Sequence, residues 1–340
     1  MRIVVIGTGF GARVVAPAFA ATAGCEVVDV VSPRDDDAVG RAIARHDVDL
    51  VSVHSPPFLH ARHVRATLAE GKAVLCDKPF AAGAEEAEAL MTEAAAAGVV
   101  ALCNFEFRFH PVRRLLRELV RTDALGSIEH VHWTHLSAGS RVPLRRYGWL
   151  FDRERGGGWI GAWGSHAVDT IRWCFGEVVA VDAQSRIDVA ERPDEHGELH
   201  ACTAEDGLTA MLRVDTGATI VVDSSFAASA SVAPRLTVLG ADAVCEIIAD
   251  TRVIVRRGDG TREDLTPRAA AGDHKGSDRD GSDRHGSDRH GDPMQRFAEV
   301  VRDVVTGGEV PPGVPTFADG HACDVVLDQL RAVPPTTWER

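Results

Sequence analysis

Positive charge is in short supply in this chain: 37 lysines and arginines face 50 aspartates and glutamates, a formal charge of −13. That balance argues against nucleic acid or an anionic membrane surface as the main partner. Long apolar runs are missing too, and none approaches the roughly 18 residues that span a bilayer. The opening MRIVVIGTGFGA is not expected to be a signal peptide, because its short apolar run passes straight into a glycine turn. The seven cysteines, at 25, 76, 103, 174, 202, 245 and 323, form no CxxC pair. An odd, scattered set in apolar stretches suits reduced core thiols rather than a disulfide framework, and predicts a cytoplasmic protein.

What is present is a chain of 340 residues, long enough for two domains, whose pattern changes part-way along. Over the first hundred residues, short Val/Leu-rich runs at Arg2–Ile6, Glu26–Val31, Asp49–Val53, Ala73–Cys76 and Val99–Cys103 alternate with helical spacing. Connections this short predict an α/β, doubly wound parallel sheet of the Rossmann type over residues 1–121. Pro17, beyond the first turn of the first helix, is expected to kink it or force an adjustment. After about residue 120 strands follow one another closely: Ile128–Leu136, Val178–Val189, Leu208–Val214, Ala218–Phe226, Arg235–Leu239 and Val244–Ile248. With helices at Ser165–Phe175, Pro293–Val305 and Phe317–Arg331, they predict a second α+β domain over 122–340, built on an open, mostly antiparallel sheet. Its final segment, 315–340, is the expected closing helix.

The local chemistry begins at Gly7–Thr8–Gly9–Phe10–Gly11–Ala12, directly after the first strand. This is GxGxxA, a form of the dinucleotide fingerprint: Gly7 for the tight turn, Gly9 for close approach to a pyrophosphate, Ala12 for helix–strand packing. The helix N-terminus then offers N–H groups and a positive dipole end to phosphates. The ribose position falls at Ser32–Pro33–Arg34. Ser32 and Arg34 lean towards NADP, while Asp35, Asp36 and Asp37 pull towards NAD, so both cofactors stay open. Ser55–Pro56–Pro57–Phe58–Leu59–His60 and Cys76–Asp77–Lys78–Pro79 follow the third and fourth strands, on the edge where open α/β sheets bind ligands. Lys78 there is a candidate acid/base. His130, His132 and His135 could suggest a metal cluster, but on a strand 135 takes the opposite face, and no metal is expected. Trp163, beside a glycine run, suits a sugar ring; Trp173 suits the core.

The GxGxxA opening, SPPFLH, EGKAVLCDKP, NFEFRFHP and GGGWIGAWGSHAVD with its Trp–Cys–Phe–Gly ending closely resemble the Gfo/Idh/MocA oxidoreductases. The resemblance implies NAD(P)-linked oxidation or reduction at a ring carbon of a sugar, cyclitol or related polyol, without metal. It also implies homo-oligomer contacts through the C-terminal sheet. It carries the family's lysine onto Lys78, a substrate-proximal asparagine onto Asn104, its catalytic histidine onto His166, and the histidine after strand three onto His60. One departure is clear: the aspartate four residues before the catalytic histidine is here Ala162. Four residues is one α-helical turn, so the pair would share a face and a proton, and the usual triad is in doubt. A non-catalytic sensor of cofactor and sugar, or glycosidic hydrolysis through transient oxidation, therefore stay open as alternatives.

One segment, 268–291, is low in complexity and contains the repeat GSDRD, GSDRH, GSDRH at 276–290. Gly, Ser, Asp and Arg bury almost nothing, which predicts a mobile surface loop. Loop-closure entropy changes slowly with length, so a short Gly/Ser linker in place of the repeat should move stability by only about 1 kcal/mol. A loss of several kcal/mol on urea unfolding, or a new oligomer size, would show the segment to be packed.

Overall fold

The protein is described by a computed structural model over residues 1–267 and 286–337. It forms two compact units, one joining 1–109 to 284–328, the other joining 110–283 to 329–340. The first is built on five parallel strands: β1 (Arg2–Ile6), β2 (Glu26–Val31), β3 (Leu50–Val53), β4 (Ala73–Cys76) and β5 (Ala101–Cys103), in the order β2-β1-β3-β4-β5. β1, β3 and β4 are almost wholly apolar because both their faces are covered: Ile3 to Ile6, Val51 and Leu75 expose nothing. The crossovers are α1 (Ala16–Ala21), α2 (Asp36–Ile43), α3 (His60–Ala69) and α4 (Ala84–Ala97). Asp35 caps α2 by accepting from Ala38 N at 2.9 Å. Strand order reverses between β1 and β3, and outside their carboxyl ends lies the crevice such sheets use for ligands.

Pro17 explains an irregularity. In a regular α-helix its ring would press on the carbonyl of Arg13. The chain instead makes a wide π-helical turn at Gly11–Val15, with Ala16 N–H bonded to Gly11 O, and α1 restarts with Pro17 in its first turn.

The second unit opens with α5 (Pro111–Arg121), so the contacts divide the chain at 109/110 and not at 121/122, where the sequence pattern changes. α5 packs on α6 (Ser165–Phe175), and Arg113 donates to Thr170 Oγ1 at 2.7 Å. The strands are β6 (Ile128–Leu136), β7 (Val178–Ile187), β8 (Glu191–Pro193), β9 (Leu199–Ala201), β10 (Gly207–Val214), β11 (Thr219–Ser225), β12 (Arg235–Gly240), β13 (Ala243–Ile248), β14 (Arg252–Arg257), β15 (Arg262–Asp264) and β16 (Thr336–Thr337). β8 and β9 make a separate hairpin; the rest form one sheet, β15-β14-β13-β12-β6-β11-β10-β7-β16. Its neighbours are antiparallel except β6–β11 and β7–β16, so the sheet is mixed but mostly antiparallel. Along β10, Leu208, Ala210 and Leu212 are buried while Thr209, Met211 and Arg213 are exposed, which marks one covered face and one open face.

Two late helices, α7 (Gly286–Gly307) and α8 (Phe317–Leu330), fall mostly within the first unit, although the sequence pattern assigns them to the second. α7 starts inside the third copy of the repeat and holds Pro293 in its interior, where the sequence reads that proline as a helix start. The rest of the low-complexity segment, 268–285, lies outside the described residues. Met294, Phe297, Val301 and Val304 join Ile3, Val5, Val15 and Phe19 in one buried cluster. Phe297 exposes nothing and stacks on Phe109 at 4.6 Å between centroids. Phe297→Ala should therefore destabilise the first unit by about 3–5 kcal/mol, read as faster hydrogen exchange of β1 amides in urea. A change under about 1 kcal/mol would detach α7 from this core.

Candidate functional site

β1 ends in a turn that is pressed against the end of β3. Gly7 has φ +148°, and a Cβ there would lie 2.5 Å from the carbonyl oxygen of His54, so no other residue fits. A Cβ on Gly11 would lie 3.0 Å from both Val5 Cγ1 and His54 Cβ. The tight helix–strand contact is therefore made at Gly11, one residue before its expected place, and Ala12 is only half-buried. Above Gly9 the space is open, with nothing within 4 Å of where a Cβ would be. Thr8 is exposed and Phe10 half-buried on the same turn. Uncovered backbone at the mouth of a helical segment is what a pyrophosphate requires, so these residues fit a dinucleotide.

Past β2, Ser32 Oγ accepts the backbone N–H of Arg34 at 3.3 Å, and Arg34 is exposed. Of the acids beside it, Asp35 is the cap of α2, and Asp36 is gripped by both guanidinium nitrogens of Arg62. That grip holds the Asp36 carboxyl below its usual range. Asp29 lies inside β2, away from the strand end.

Along the rest of the edge, β3 runs into His54–Ser55–Pro56, β4 into Asp77–Lys78 and β5 into Asn104. Pro56 and Lys78 are half-buried; Asn104 is fully buried. Ser55 turns its hydroxyl inward to His63 Nδ1 at 3.0 Å. His60, grouped with the cofactor contacts in the sequence, is buried, and both ring nitrogens face backbone carbonyls: Nε2 the oxygen of Ser55 at 2.7 Å, Nδ1 those of Pro79 and Phe80 at 3.1 and 3.2 Å. It lies between the loop after β3 and the loop that carries Lys78, both ring nitrogens turned to carbonyls and none to a ligand. Burial pushes it below the usual imidazole range, against the pull of Asp77 and those carbonyls.

The Lys78 loop is fixed from a distant part of the chain as well. On α8, Asp324 accepts from Ala81 N and Asp328 from Ala84 N, both at 2.8 Å, while Phe317 packs on Phe80 at 4.3 Å. A Cβ on Gly320 would lie 2.8 Å from the Phe80 ring, so α8 closes on this loop only because residue 320 is glycine. No local pattern points to these anchors, which sit more than two hundred residues downstream.

In the second unit, the run Gly156–Gly157–Gly158 folds over Glu205. A Cβ on Gly158, at φ +109°, would overlap the Glu205 carboxylate, which instead accepts Ile160 N at 3.0 Å. Another wide turn, Ile160–Gly164, leads into α6. Ala162 is in that turn, so four residues cover less than one full turn before His166, which is buried. Trp163 packs edge-on against Trp133 at 5.4 Å, beside His135 at 4.9 Å, and parallel to Trp159 at 6.0 Å. His135 thus belongs to an aromatic cluster, on the opposite strand face from His130 and His132.

Among the described residues Asp194, Glu198 and His200 bring ligand-type atoms within 4.8 Å of one another on the exposed β8–β9 hairpin. Asp194 already accepts from His200 Nε2 and from the N–H groups of His196 and Glu198.

Comparison with known proteins agrees with this architecture. Residues 1–105 match the model of an oxidoreductase family with an NAD-binding Rossmann fold, and 113–246 match the GFO/IDH/MocA C-terminal domain. An uncharacterized oxidoreductase of Synechocystis sp. is 32% identical over 223 residues, 61% of this chain and 60% of that protein. Levoglucosan dehydrogenase of Pseudarthrobacter phenanthrenivorans is 30% identical over 156 residues, 46% of this chain and 40% of its own. The chain thus matches only about half the length of such curated relatives. The fold is shared throughout with a levoglucosan dehydrogenase solved with NADH and L-sorbose: TM-score 0.79 at 20% identity, covering 97% of this chain and 95% of that one. With both domain models matched in order and the glycine turn in place, the chain belongs to the Gfo/Idh/MocA oxidoreductase family.

Proposed function

We propose that this protein is an NAD(P)-dependent oxidoreductase acting on a hydroxyl- or ketone-bearing ring carbon of a sugar, cyclitol or related polyol. One observation carries the reading: the open backbone at Gly9 shares a sheet edge with Lys78 and Asn104. When bound, the nicotinamide supplies the group that accepts or returns a hydride. The chain's part is to hold the substrate and to move the hydroxyl proton. Lys78, half-buried on the loop braced by His60 and α8, takes or returns that proton. Asn104 binds the substrate from the end of β5. In the second unit Trp163 offers a ring face to the sugar, and His166 orients a hydroxyl or relays its proton. Curated relatives are named for such sugars, levoglucosan among them.

Ala162 supports a second reading, a sensor that binds cofactor and sugar without turnover, because it gives His166 no carboxylate at that position. Nicotinamide absorbance, followed while sugars, cyclitols and amino-sugars are added to protein and cofactor, separates the two. Turnover supports the enzyme; a binding shift without turnover supports the sensor.

We infer a cytoplasmic location from six buried cysteines out of seven, and homo-oligomers through the open sheet face, where Met211 is 52% exposed in mid-strand. Among the described residues no helix is long and apolar enough to cross a membrane.

Arg34, exposed at the ribose position with two nearby acids already engaged, leans the choice towards NADP. Arg34→Ala should weaken NADP by about 1.5–3 kcal/mol more than NAD, as for loss of a charge-assisted contact. Equal losses in a binding titration would remove Arg34 from the site. For Lys78→Ala, kcat should fall at least about a hundredfold with cofactor affinity nearly intact, while His166→Ala should cost less. An active Lys78→Ala enzyme beside a dead His166→Ala enzyme would reverse the roles.

A further inference from the structure

A chain of buried polar groups crosses three strand ends of the first unit. Ser52 Oγ on β3 lies 2.7 Å from His54 Nε2, and His54 Nδ1 lies 3.4 Å from Asp77 Oδ2 after β4. Asp77 Oδ1 accepts the side-chain amide of Asn104, after β5, at 3.2 Å and the backbone N–H of Lys78 at 3.0 Å. The His54 side chain exposes nothing, and the glycine turn lies against it, with Phe10 at 5.9 Å between ring centroids. Asn104 Oδ1 and His54 Nδ1 are both buried without a hydrogen-bond partner among the described residues, so His54 and Asp77 meet as a charge contact.

The order of these groups matters chemically. A carboxylate only accepts, so it decides which end of the Asn104 amide faces it: Nδ2 turns to Asp77 and Oδ1, itself buried, turns away from the carboxylate. A buried carboxylate without a partner tends to take up a proton, and a protonated Asp77 could donate and let the amide reverse. His54 is the ring that meets Asp77 from the β3 side. The other titratable groups around Asp77 are Lys78 on its own loop, His60 on α3 and the buried Cys76 thiol at the end of β4.

We propose that His54 is a positioning residue for the reaction: through Asp77 it sets the Asn104 amide with its oxygen turned from the carboxylate and tethers the main chain at Lys78. The inference rests on the roles given to Lys78 and Asn104 above. Its electrostatics agree. Burial pushes Asp77 upward, but the contact and charge of His54, with Lys78 and His60, outweigh it and hold the carboxyl far below its usual range. Such a group stays charged as pH falls through the ordinary carboxylate range, so the Asn104 orientation is kept there.

The test compares two amides at position 54. In His54→Asn the Nδ2 donor falls about where the imidazole Nδ1 lies, whereas in His54→Gln it reaches past to the Nε2 side. On the best sugar of the panel, His54→Asn should keep kcat within about threefold, while His54→Gln and Asp77→Asn should each lose at least about tenfold in kcat with KM little changed. Equal losses for Asn and Gln would overturn the proposal. A second readout needs no substrate and judges the link even in a protein that turns over no sugar. In 15N-histidine-labelled wild type, the His54 Nδ1 resonance should be that of a protonated nitrogen and should shift in Asp77→Asn. A bare Nδ1, or an unchanged resonance in that variant, would likewise overturn it.

Discussion

The close seating of the glycine turn on the end of β3 is the contact on which the rest of the first unit depends. Gly7 and Gly11 have no room for a side chain because His54 lies directly against both. That approach exposes the backbone at Gly9 and also buries the His54 ring, whose other side meets Asp77. The glycine turn and the loop after β4 therefore meet through one buried imidazole. Hydrogen bonds gain strength in such a low-dielectric place, and each group left unsatisfied there costs more.

The loop after β4 shows how much structure one lysine needs. His60 bonds it from α3, Asp324 and Asp328 bond it from α8, and Phe317 closes on Phe80 beneath it. None of these groups needs to touch substrate. They remove the freedom of a loop whose lysine, in the proposed function, meets a substrate hydroxyl with sub-ångström tolerance. In the second unit the glycine run performs a similar service, since Glu205 can cap the turn before α6 only where Gly158 leaves space for it.

Much of this was legible in the sequence. Period and turn chemistry identify the parallel strands, the glycine turn and the antiparallel second sheet, because local spacing is what those elements depend on. The edge residues Ser55, Asp77 and Lys78 follow from strand ends alone, while Asn104 comes from the family resemblance. What local pattern cannot show is which distant segment covers a given face. α7 and α8 look like the end of the second domain, yet Phe297 and Phe317 are buried in the first unit. His54 is hidden for a related reason: Ser52 precedes it by two residues on β3, but Asp77 follows β4, and only the sheet register brings ring and carboxylate together. His60 was assigned to the cofactor on position, whereas its carbonyl partners make it a brace. Ala162 shows the opposite error, in which α-helical spacing was assumed across a π-helical turn.

In the proposed function, uncovered backbone at Gly9 receives a dinucleotide pyrophosphate. Titrating NADH and NADPH into wild type and Gly9→Val, followed by energy transfer from tryptophan to the nicotinamide, tests it most directly. The fold has room for the valine, since nothing lies within 4 Å of its Cβ, so melting should be unchanged while the cradle is filled. The account predicts saturable binding in wild type and a loss of at least about tenfold, roughly 1.4 kcal/mol, in the variant. No binding in wild type, or equal affinity in both, would contradict it.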